Sequence, residues 1–69
     1  MLKGNKQYKT FRHNGVALVY TTKCGKLDVW KEEDGTYSII LKSKRATVAQ
    51  GLLSKKNACE VAEIHAYQF

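Results

Sequence analysis

Between Lys26 and Ser43 the apolar positions recur every second residue in two runs, Leu27 and Val29, then Tyr37, Ile39 and Leu41, with Asp34-Gly35 between them. Side chains alternate between faces along a strand, so each run marks one face and the intervening pair marks a turn. Two registers are conceivable. A two-residue Asp34-Gly35 loop opposes Trp30 to Ile39 and Val29 to Ile40, which scatters the apolar rows over both faces. A three-residue loop, Glu33-Asp34-Gly35 with Gly35 left-handed, opposes Leu27 to Leu41, Val29 to Ile39 and Lys31 to Tyr37. Only the second gathers one apolar face, and it is the register expected. Trp30 and Ile40 then point to the opposite face, beside Asp28, Ser38 and Lys42.

Upstream, Tyr8 to Thr22 reads as another hairpin, turning at Asn14-Gly15, the favoured pair for a two-residue type I′ turn. That turn opposes Phe11 to Leu18 and His13 to Val16, and puts Phe11, Val16, Leu18 and Tyr20 on one face as the second half of the core. Downstream, Arg45 to Gln50 reads as a further strand ended by Gly51, and its small side chains suggest a helix lying over it. The helix follows. Ser54 is a good N-cap, Leu53 is placed to staple onto Ala58, and no Gly or Pro interrupts Lys55 to about Tyr67. At 100° per residue, Ala58, Val61, Ala62, Ile64, His65 and Phe69 share an arc, with Glu60, Glu63 and Tyr67 opposite. The fold class expected is α+β: an antiparallel β-meander of four or five strands with one C-terminal α-helix packed on one face. Residues 8–69 form a single small domain, and residues 1–7 a flexible basic N-terminal arm.

A chain of 69 residues has room for one small core and excludes a second domain. With 43% hydrophobic and 26% charged residues it is composed like a folded protein rather than a disordered tail. No run approaches the roughly 20 apolar residues of a membrane span, and no apolar stretch of a signal peptide follows the first residues, so a cytoplasmic protein is expected. Cys24 and Cys59 form no Cys-x-x-Cys, and neither a disulfide framework nor a zinc module is indicated.

No enzyme signature emerges. Glu32, Glu33 and Asp34 cluster at a turn tip, where carboxylates are solvated. His13 and His65 have no spacing that ties them to either cysteine, and the glycines fall at turns rather than in a phosphate loop. Catalysis, a cofactor and a metal are therefore not expected.

Charge changes this picture. The net charge is +6, and it is segregated: residues 1–26 carry six cations and no acid, as residues 42–56 carry five and no acid. Lys55 and Lys56 occupy the first turn of the helix, where the macrodipole disfavours cations by ~0.3–1 kcal/mol each. Main-chain N–H groups and two ammonium groups together make a phosphate site. The stretch Gly51-Leu52-Leu53-Ser54-Lys55-Lys56-Asn57-Ala58, after strands and opening a C-terminal helix, locally resembles the last-helix motif of double-stranded-RNA-binding domains. That resemblance, covering about a dozen residues, implies lysines that grip phosphates across a groove; Cys59 stands where the motif has a further lysine.

Nucleic-acid binding, to DNA or RNA, is thus the first expectation. Lys42, Lys44, Arg45, Lys55 and Lys56 form the patch, and Lys3, Lys6 and Lys9 of the arm support it. The alternative is a small protein-binding module, an inhibitor or adaptor for a host or regulatory protein. It would act through Trp30 and Ile40 on an exposed sheet face or a free edge. Neither reading involves a membrane, and both are compatible with a monomer or a homodimer.

Overall fold

A computed structural model of the chain describes residues 13–69. Four strands, β1 (Gly15–Thr21), β2 (Leu27–Glu32), β3 (Tyr37–Leu41) and β4 (Ala46–Leu52), form one antiparallel sheet in the order β1-β2-β3-β4, and α1 (Lys55–Ala66) follows. This is the α+β meander with one C-terminal helix that the sequence pattern implies. The expected strand from Tyr8, and the arm of residues 1–7, lie outside the described residues.

The central hairpin has the three-residue loop and the register that gathers one apolar face. Leu27 opposes Leu41, Val29 opposes Ile39 and Lys31 opposes Tyr37. Gly35 has φ +88°, and the Glu32 N–H donates to the Thr36 carbonyl at 2.8 Å to close the loop. The Asp34 carboxylate accepts from both the Thr36 N–H and hydroxyl, a local brace that competes with any straighter path. These bonds hold the Asp34 carboxyl below the usual carboxylate range, the Thr36 hydroxyl being the larger cause.

The expected Asn14-Gly15 turn is not formed. Neither residue has positive φ, which a type I′ turn requires at both positions, and Gly15 instead opens β1 opposite Glu32. Nor do Val16, Leu18 and Tyr20 share a face. Register shifts between Gly15 and Ala17 and between Leu18 and Tyr20 put Leu18 opposite Trp30 but Tyr20 opposite Val29, on the helix side. Val16 and Leu18 are accordingly 63% and 51% exposed, not core.

The helix begins where its cap dictates: the Ser54 hydroxyl accepts the Asn57 N–H at 3.2 Å. Its buried stripe is Ala58, Ala62 and Ala66, spaced by four, and these small side chains pack on Leu27, Val29, Ile39 and Leu41. The helix lies mainly over β2 and β3 rather than over β4. Two details of the expected arc differ. Ile64 is exposed, and Glu63, expected to face water, accepts from the Tyr20 hydroxyl and, at 3.0 Å, from the Lys23 N–H. Leu53 is exposed as well and makes no staple.

The other sheet face is not open. Ile40 is only 8% exposed, and Ser38 and Thr47 are buried. Trp30 is half-buried there, its ring 6.1 Å from that of His13 at a tilt of 50°. Among the described residues no helix is long and apolar enough to cross a membrane.

Candidate functional site

An antiparallel meander puts alternate turns at the same end. The β1–β2 turn (residues 22–26) and the β3–β4 turn (residues 42–45) are therefore neighbours, and the Lys42 N–H donates to the Lys26 carbonyl at 3.1 Å to join them. Each turn is braced from within. Thr22, buried, accepts the Leu27 N–H on its hydroxyl at 3.2 Å, while the Gly25 N–H reaches the Thr22 carbonyl at 2.8 Å. Arg45 holds a left-handed φ of 52°, uncommon for a residue with a Cβ, and so ends the second turn sharply enough for β4 to pair back.

Lys23, Lys26, Lys42, Lys44 and Arg45 are all exposed at this end. Two acids approach this end, Asp28 at 4.0 Å from the Lys42 ammonium and Glu63 on the Lys23 N–H at 3.0 Å, so five cations face two carboxylates and the end stays net basic. Between the turns runs a groove of about 570 Å³ walled by Gly25, Leu41 and Phe69 and rimmed by Lys26, Lys42 and Lys44. An apolar wall, one aromatic ring and three ammonium groups suit a flat base with its phosphate. Cys24 lies on the same turn with its thiol lowered, first by the Thr22 hydroxyl and then by the Lys26 N–H.

Lys42, Lys44 and Arg45 are thus brought together, but Lys55 and Lys56 are not with them. The seven residues of β4 intervene, about 20 Å of extended chain. The helix start follows the far end of β4, at the end of the sheet that carries the β2–β3 turn. Lys55 and Lys56 are exposed there, and the first helical turn holds no acid to offset them. Lys3, Lys6 and Lys9 fall outside the described residues. Lys23 and Lys26, passed over as contacts when the chain is read linearly, join the site because strand order carries their turn alongside residues 42–45. Their segment's lack of acids was the available signal. Of the alternative protein-binding pair, Trp30 is half-buried and Ile40 is buried.

Among the described residues no group of three His, Cys, Asp or Glu side chains is gathered to hold a metal ion. Comparison with known protein families, curated proteins and solved structures finds no match, so geometry alone carries the functional reading.

Proposed function

We propose that this chain is a small non-enzymatic nucleic-acid-binding protein that engages phosphates with the basic end of its sheet. The observation that carries this reading is the juxtaposition of two hairpin turns bearing Lys23, Lys26, Lys42, Lys44 and Arg45, joined by a main-chain hydrogen bond and flanking an apolar groove. Ammonium groups on two rigid turns replace counterions along a phosphate backbone, which gives salt-sensitive affinity without sequence readout. Lys55 and Lys56 are a second, separate phosphate contact at the far end of the sheet. A cytoplasmic setting accords with Cys24 and Cys59 being free thiols.

Fluorescence anisotropy with labelled single- and double-stranded oligonucleotides tests the proposal. The parent binds at low salt, and Lys26→Gln, Lys42→Gln, Lys44→Gln combined flattens the log–log salt slope by about two to three units. A parent that binds neither oligonucleotide at low salt sinks the reading. The second reading, a protein-binding module, draws on Val16 and Leu18, 63% and 51% exposed on the strand that lies at the sheet edge among the described residues, beside Trp30. Its signature is partner binding that survives salt and fails in Trp30→Ala.

A further inference from the structure

We infer that the nucleic acid is single-stranded and lays one base against Trp30, in a second groove that opens from the same basic end; this deepens the phosphate reading and rests on it. The groove, about 350 Å³, lies on the sheet face away from the helix and is lined by His13, Asp28, Trp30, Ile40, Lys42 and Arg45. Strand pairing brings these residues together: Asp28 and Trp30 alternate with the core positions of β2, and Ile40 lies opposite Asp28. Lys42 lines the groove between the turns as well, so one side chain stands on the rim of both. Trp30 is seated by close approach. Gly15 passes so near that a Cβ there would lie 2.9 Å from Trp30 Cε3, and the His13 ring stands 6.1 Å from the indole.

Two observations select the ligand. The first is composition: an indole beside Lys42 and Arg45 combines a stacking surface with cations for the backbone, and it takes any base because every base has a π-face. Among the described residues Asp28 is the one carboxylate lining the groove. It accepts the Thr21 hydroxyl at 2.8 Å and stands 4.0 Å from the Lys42 ammonium, so Arg45 is left to face an anion. The second observation is placement. Ile40 lines this groove and Leu41 the other, and consecutive residues of a strand point to opposite faces, so the two grooves lie on opposite sides of the sheet and meet at Lys42. A duplex keeps its bases paired and stacked inward and offers such a rim only its phosphates. A single strand crossing the end of the sheet at Lys42 can splay one base to each side.

Trp30 is the sole tryptophan of the chain, so its emission reports the contact directly. The test titrates the whole chain, at one low salt concentration, with an oligothymidylate, with the same strand made abasic throughout, and with a duplex of matched length. Oligothymidylate should quench Trp30 saturably and bind about tenfold tighter than the abasic strand, which keeps the phosphates and lacks the bases. The duplex should bind without quenching. Trp30→Leu, which keeps apolar bulk in the groove, should bring oligothymidylate down to the abasic level, read by anisotropy of a labelled strand, with its salt slope unchanged because no phosphate contact is removed. An abasic strand that binds as well as oligothymidylate, a duplex that quenches as strongly as the single strand, or a Trp30→Leu variant that binds like the parent overturns the inference and leaves the phosphate reading standing. A parent that binds none of the three takes both down.

Discussion

Gly35 shows what a single residue decides. At φ +88° it carries the bulge position of the central hairpin, and a Cβ built there meets nothing within 4 Å, so any substitution cost is backbone strain alone. Gly35→Val should therefore lose about 1–3 kcal/mol, a large share of a small domain's stability, whereas Gly35→Asn, which tolerates the left-handed region, should lose clearly less. Thermal melts of the two variants decide it; equal melting points would mean that the loop relaxes into another turn. The cysteines make a second residue-scale contrast. The Thr22 hydroxyl and Lys26 N–H lower the Cys24 thiol, while burial raises that of Cys59. Since the thiolate is the nucleophile, iodoacetamide near neutral pH should alkylate Cys24 first, a rank order that peptide mapping reads directly. Gly35 was legible in the sequence because its turn lies between two apolar runs only a few residues away. Asn14-Gly15 misled, because its turn chemistry competes with pairing of Gly15 against Glu32 across the sheet.

At the scale of elements, alternation sufficed for β2, β3 and the helix cap, but not for β1. Its bulges have no periodic signature, and each slips the pattern by one residue, so Leu18 and Tyr20 end on different faces although they are two apart. The same pairing explains an expected asymmetry between faces. Leu41 packs against the alanine stripe of α1, and Leu41→Ala should cost ~2–5 kcal/mol in denaturant titration. Trp30→Ala should cost less, since Trp30 keeps part of its surface in water whereas Leu41 is buried; the reverse order would make the Trp30 face the principal core. The bond from Tyr20 on β1 to Glu63 on α1 ties the helix to the sheet edge and pushes the Tyr20 phenol up to about 12, the hydrogen bond to Glu63 being the main cause. A phenol whose folded pKa exceeds its unfolded value of about 10 stabilises the fold below pH 10, and that contribution is lost as pH rises through 12. An absorbance titration should show one tyrosine ionising well after the others, and Glu63→Gln should bring it back toward the ordinary range.

Charge acquires meaning only for the whole molecule. Segregated cations were plain in the sequence, but which of them meet depends on strand direction, information spread over the entire chain. Reading linearly joins residues 42–45 to 55–56, ten residues on, yet β4 carries the chain from one end of the sheet to the other between them. The same topology brings Lys23 and Lys26 to Lys42, nearly twenty residues away in sequence. It leaves Lys55 and Lys56 at the end of the sheet that carries the β2–β3 turn, apart from the other cations. Replacing both helix-start lysines with Gln should therefore separate stability from binding. Two cations leave a first turn whose dipole disfavours them by ~0.3–1 kcal/mol each, so the melting temperature should hold or rise. Oligonucleotide affinity should fall less, and its salt slope flatten less, than in the triple variant of Lys26, Lys42 and Lys44. If instead Lys55→Gln with Lys56→Gln flattens the slope as much as that triple variant, the nucleic acid spans the sheet from end to end. A primary role for the basic end would then have to be given up.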